Sequence, residues 1–259
     1  MRGVLGALVL LAAAAFAWGQ DSAVDASKAA SGPLAEANAL YQSGDFQSAR
    51  TAYQAKLAED LDGPTVLYNL GNASFRAGRI GEAIAYYQRA LRLAPRDRDI
   101  RRNLQRAWHE RKMGEPAPPA MWLNMLGRRL VDSFTLGELA TTAAALWWLG
   151  AGLLAVRVRQ RDRRRGLRAL VVLVLACMLL VSAVALGRWW DYHHVSRGVI
   201  AAAQTQIRSG PGDSFEIVQQ VHEGRMVRIM RADGAWMQVI AEGGARGWLP
   251  SSAIALTQP

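Results

Sequence analysis

Four kinds of apolar patterning succeed one another along the chain. At the start, Arg2 precedes a short apolar stretch, Val4 to Ala15, with small-residue sites at Ala15-Phe-Ala17 and Ala17-Trp-Gly19. This reads as a secretory signal over residues 1–19. No cysteine follows it, which excludes lipoprotein processing. From about residue 30 to 112, apolar residues recur three and four apart, the spacing of amphipathic helices. Two uncharged runs come next, Leu139 to Val156 and Ala169 to Gly187. At 1.5 Å per residue each covers roughly 27–29 Å, the thickness of a bilayer's hydrocarbon layer. The chain ends in short alternating runs broken by turn signals. Val227 and Ile229 flank Arg228, Asp233-Gly234 precedes Trp236-Met-Gln-Val239-Ile, and Glu242-Gly243-Gly244 precedes Gly247-Trp248-Leu249. Such alternation predicts a small all-β unit over 198–259.

The helical stretch carries an internal repeat of 34 residues. Gly44 recurs as Gly78, Phe46 as Ile80, Ala49 as Ala83, Tyr53 as Tyr87 and Leu57 as Leu91. Asn69-Leu70 recurs as Asn103-Leu104, and Ala73 as Ala107. Glycine suits a sharp turn between antiparallel helices. Alanine lets paired helices approach, and tyrosine fills the gap between units. Gly114-Glu-Pro116-Ala-Pro118-Pro119 then makes a semi-rigid spacer. Within 113–135, Trp122, Leu126, Leu130 and Phe134 recur every four residues. They predict a helix lying in the membrane interface, with Arg128 and Arg129 on its wet face.

Charge changes the picture only once it is located. The net charge is +10, but seven arginines fall between Arg157 and Arg168, in the loop joining the two uncharged runs. Short loops dense in arginine stay in the cytoplasm. The pattern therefore predicts spans over 136–156 and 169–187, loop 157–168 inside, and both flanking parts outside. The signal gives the same parity. No nucleic-acid motif accompanies the charge, so no nucleic-acid partner is expected.

Chemistry-bearing residues are sparse. The lone cysteine, Cys177, lies in the second apolar run and has no intrachain partner. Asp191-Tyr-His193-His194 lacks the spacing of a metal set. No glycine-rich phosphate loop or nucleophile elbow is present. The reading is of a protein that is not an enzyme and holds no cofactor or metal.

The second repeat, Pro64 to Asp97, resembles the tetratricopeptide pattern through Leu70-Gly71, Gly78, Ala83, Tyr87, Ala90 and Pro95, with Ser74 replacing a large residue. The first, Ala30 to Gly63, departs at Ala37, Lys56 and Leu61, and the third is a lone cap helix, Arg98 to about Lys112. With two units and a cap, the array is near the lower limit for stability, so self-association or a partner is expected to complete it. The resemblance implies a concave, peptide-binding groove lined by Asn38, Tyr41, Tyr68, Asn72, Phe75, Arg76, Arg102, Arg106 and His109. Asparagines there would clamp a peptide backbone, and Arg102 and Arg106 would meet an acidic side chain or a C-terminal carboxylate.

The last segment resembles the bacterial SH3-like domain through Ile207-Arg208-Ser209-Gly210-Pro211, Glu223-Gly224, Trp236 and Gly247-Trp248-Leu249. Such domains bind peptides or cell-wall material. Trp236 and Trp248 would form a recognition surface or else pack the core. The order of modules resembles that of BatE-type proteins of bacterial aerotolerance operons. The resemblance implies a scaffold of the inner membrane, working beside von Willebrand factor A-type membrane proteins and a MoxR-type ATPase. A peptidoglycan-binding envelope sensor is the rival reading.

Overall fold

The computed structural model describes residues 34–59, 63–111, 134–160 and 165–257. The expected signal, the proline-rich spacer, all but the last two residues of the interfacial helix and the tip of the arginine loop lie outside these residues. Among the described residues, seven α-helices and seven β-strands follow in order. Five short helices come first: α1 (Ala35–Gln42), α2 (Phe46–Ala58), α3 (Pro64–Arg76), α4 (Ile80–Leu93) and α5 (Arg98–Glu110).

The 34-residue repeat is visible as repeated geometry. Helix α1 ends at Gly44 with φ 87°, and α3 ends at Gly78 with φ 75°, a left-handed conformation that favours glycine. At each turn the next N–H reaches back to close the helix end: Asp45 N donates to Leu40 O at 3.0 Å, and Arg79 N to Ser74 O at 2.9 Å. Asp45 then caps α2 by accepting from Ser48 N, and Asp97 caps α5. Ala49, Ala73, Ala83 and Ala107 are fully buried, so the helices pack closely.

Two long helices follow, α6 (Leu136–Gln160) and α7 (Arg165–His194). Helix α6 continues through Arg157 and Arg159, and α7 continues past Gly187 for two more turns. The stretches Leu136–Val156 and Ala169–Asp191 are long and apolar enough to cross a membrane, and protein buries only 11% and 17% of them. They pack together where Gly150 meets Val174, Leu175 and Met178, and Trp147 Nε1 donates to Ser182 Oγ at 3.2 Å. Thr141, Ala145 and Gly152 are exposed along α6.

The remaining strands are β1 (Arg197–Ile200), β2 (Gln204–Arg208), β3 (Ile217–His222), β4 (Met226–Asp233), β5 (Trp236–Ala241), β6 (Arg246–Pro250) and β7 (Ile254–Leu256). They form one antiparallel sheet in the order β3-β2-β6-β5-β4-β1-β7. Ile200, Ile207, Val221, Val227, Val239 and Leu249 fill its core.

The helical array and the sheet are not separate beads. Val199 of β1 belongs to the same buried cluster as Leu67, Ile84, Tyr87 and Leu104, with Met226 and Ala255 packed beside them. Two extra bonds hold this junction. Glu223 Oε1 accepts from Gly81 N at 2.7 Å, and Arg111 donates to Gly224 O at 3.1 Å. Gly81 is required by the close approach, because a Cβ there would collide with the Ile200 carbonyl oxygen. The sequence led us to expect an array completed by a second copy or a partner. In the structure the chain's own β-domain covers the face of α4 beyond the cap helix.

Candidate functional site

The groove residues predicted from sequence divide into two groups. Asn38 and Asn72 point into the array. Tyr53 Oη donates to Asn38 Oδ1 at 2.5 Å, and Tyr87 Oη to Asn72 Oδ1 at 2.7 Å, the same bond one repeat apart. Asn72 Oδ1 also accepts from Asn103 Nδ2, which donates to Tyr68 Oη as well. These amide oxygens are committed to holding each unit together. Burial raises the Tyr53 phenol to about 12 and raises Tyr87 further, so both stay protonated donors at ordinary pH. Tyr68 is raised as well, again chiefly by burial. The sequence held a sign of this pairing: Asn38 and Tyr53 both recur at the 34-residue period, fifteen residues apart in each unit.

The second group lies open. Arg76 is exposed, with its guanidinium 4.5 Å over the Phe46 ring, and Arg106 stands 5.4 Å over the Phe75 ring. Tyr41 meets Phe46 edge-on at 5.3 Å. Each arginine thus sits on an aromatic ring of a neighbouring helix, a cation–π contact that fixes the charge while leaving its edge available. Arg106 also pairs with Glu110 at 3.3 Å, and Arg102 pairs with Asp99. These pairs are solvent-exposed and weak, so an incoming carboxylate can compete for either arginine. His109 is exposed on the same helix. A depression of about 510 Å³ lies elsewhere, lined only by first-unit residues such as Glu36, Leu40, Thr51 and Lys56.

In the β-domain the two tryptophans differ. Trp248 is 9% exposed, while Trp236 is half-buried. Trp248 pairs in register with Arg208 and Gln238, and Leu249 beside it faces the core. Trp248 therefore sits on the other face of the sheet, under cover, and offers little surface to a ligand. The loop after β2 is more open. Phe215 is exposed and lies over Gly210, and Arg208 holds the loop by donating to the carbonyls of Asp213 and Phe215 at 2.7 and 2.9 Å.

Sequence reasoning missed the Glu223 carboxylate. Burial pushes its pKa up, against the lowering effect of the Gly81 N–H it accepts from. Asp191, part of the suspected metal motif, is held by both guanidinium nitrogens of Arg197 at 2.8 and 2.7 Å. His193 instead packs at a tilt against Trp189, and His194 stacks on Trp190.

The architecture is a tetratricopeptide-like helical array joined to an SH3-like sheet, with two apolar helices between them. Comparison with known proteins agrees at the level of the modules. Residues 34–98 match the tetratricopeptide repeat family, and residues 201–255 match the bacterial SH3 domain family. Both are non-catalytic modules, and both kinds of domain generally bind proteins or peptides. The SH3-like region is also similar to YrvJ of Bacillus subtilis (strain 168), a protein named provisionally as an N-acetylmuramoyl-L-alanine amidase. Identity is 40% over 56 residues, 22% of this chain and 11% of that protein, so the chain spans about a tenth of its relative's length.

Proposed function

We propose that this chain is a membrane-anchored interaction scaffold whose array and SH3-like domain both lie outside the cytoplasm. Residues 1–19 serve as the signal, α6 and α7 cross the inner membrane, and the arginine loop 157–168 stays in the cytoplasm. One observation carries the reading. Gly81 and Glu223 are hydrogen-bonded although both apolar helices lie between them in sequence. Two modules that share a buried core must occupy the same side of a membrane, and two crossings between them satisfy that requirement where one would not. Ion pairs at the ends of the apolar helices support it. Arg96 meets Glu138 at 3.1 Å, and Arg197 meets Asp191, so both modules are pinned to the same end of the pair.

In this reading the open arginines of the groove receive an acidic peptide. Arg102 and Arg106 supply the charge, with Tyr41, Phe75 and Arg76 alongside. The order of modules, resembling BatE-type proteins, favours a partner among von Willebrand factor A-type membrane proteins of a Bat/MoxR-type envelope complex. A second reading has its own support. The SH3-like region is similar to part of a protein named provisionally as an N-acetylmuramoyl-L-alanine amidase, which favours peptidoglycan as the ligand of that domain.

One experiment separates the two. Full-length protein in mild detergent is used to recover partners from envelope extract, and in parallel is sedimented with purified cell wall. Changing Arg102 and Arg106 to Glu should reduce partner recovery about tenfold or more while leaving cell-wall sedimentation unaltered. Unchanged partner recovery would refute the groove. Absence of sedimentation in the wild type would refute the cell-wall reading.

A further inference from the structure

The SH3-like domain has a membrane-proximal end, and strand register identifies it. Helix α7 runs to His194, and β1 begins at Arg197, after only Val195 and Ser196. The Arg197–Asp191 pair holds that junction against the last turns of α7. Strand β4 is antiparallel to β1, with Val199 opposite Met226 and Arg197 opposite Arg228. It therefore runs back toward the helix and then past the start of β1. Ile229 N donates to Ser196 O at 2.9 Å, and the strand continues to Asp233 before turning into β5 at Trp236. Five residues beyond Arg228, at about 3.3 Å each, carry the β4–β5 turn roughly 16 Å further in that direction.

The projecting hairpin has an interfacial composition. Its register shifts between Ile229 and Arg231, which leaves Met230 as the extra residue of a bulge. A bulge re-aims the side chain it carries. Met230 is 55% exposed, with exposed Arg228 and Arg231 on either side and Asp233 the one acid between Met226 and Trp236. Trp189 and Trp190 are exposed near the end of α7, as aromatic anchors at a headgroup layer would be. Leu256, opposite Gly198 and therefore at the same end, is exposed too. An exposed apolar side chain flanked by cations on a projecting hairpin is the pattern that binds the surface of an anionic bilayer.

We propose that the β4–β5 hairpin is a second membrane contact, with Met230 seated at the headgroup boundary and Arg228 and Arg231 on the phosphates of anionic phospholipids. This rests on the reading that α6 and α7 span that bilayer. The contact adds a lipid-facing restraint on the SH3-like domain to those given by the shared core and the Arg197–Asp191 pair.

Fluorescence quenching in lipid nanodiscs tests it with the full chain. Cys177, the only cysteine of the sequence and exposed on α7, carries the dye in the wild type. In a Cys177→Ser background, Ala232→Cys reports the hairpin. Arg246→Cys, near the β5–β6 turn at the other end of β5, is the control. Lipids brominated near the headgroup should quench the dye at 232 about threefold more than at 246 when anionic lipid is present. Adding Met230→Asp, or reversing Arg228 and Arg231 to Glu, should bring the two positions level. Equal quenching at 232 and 246, while deep-brominated lipids still quench the dye at 177, would overturn the hairpin contact alone. No quenching at 177 would overturn the spanning reading and the hairpin contact with it.

Discussion

At the scale of single residues, the array depends on one repeated hydrogen bond. The Tyr87 hydroxyl and the Asn72 amide are in a buried setting where an unpaired polar atom is costly. Tyr87→Phe keeps the ring and removes the donor. It should lower stability by about 1 kcal/mol, measured by thermal unfolding of the detergent-solubilised chain. Glu223 makes a different prediction, because its carboxyl is poised at the junction. Burial raises its pKa in the docked state, so docking favours the neutral acid. Its contribution should be fully present below the undocked glutamate pKa and be lost as pH rises through the raised docked value. Glu223→Gln, which keeps an acceptor for Gly81 N, should flatten that dependence. Limited proteolysis across the acid range reads it, and an unchanged profile in the variant would sink the assignment.

At the scale of elements, helix α4 matters most because it serves two neighbours. One face packs in the array, and Gly81 and Ile84 meet the sheet. Gly81→Ala would push a methyl group into the Ile200 backbone, an overpacking typically costing about 1–3 kcal/mol. Hydrogen exchange should then rise together at α4 and β1. A rise confined to one of them would mean that the two do not open as a unit. The helices themselves were legible in the sequence because Gly44/Gly78, Ala49/Ala83 and Tyr53/Tyr87 repeat a local requirement at a fixed period. The strands were legible for the same kind of reason, through alternation at Val227 and Ile229 and turn glycines between runs. The docking was not. Glu223-Gly224 reads as a turn, and nothing local reveals that its carboxylate reaches Gly81, 142 positions earlier. The inward-facing Asn38 and Asn72 were misleading for a related reason. Their register suggests the groove, and only the partner tyrosines show where the oxygens point.

At the scale of the whole molecule, polar contacts tie the parts together: Gly81 to Glu223, Arg111 to Gly224, Arg96 to Glu138, and Arg197 to Asp191. A reporter inserted between Arg161 and Asp162 should be active only in forms that work in the cytoplasm. Activity of a periplasm-dependent reporter there would reverse the arrangement. The shared core also has a consequence in time. Ile84 is made early, whereas Ala255, which packs against the same cluster, lies near the end of the described chain. At about 5–20 residues per second, roughly 10–30 s of synthesis separate the two. Through that interval the array's α4 face stands uncovered, and both apolar helices must be synthesised before it can close. The finished protein hides this face, but the nascent chain presents it, and the covering of the first module waits on delivery of the last.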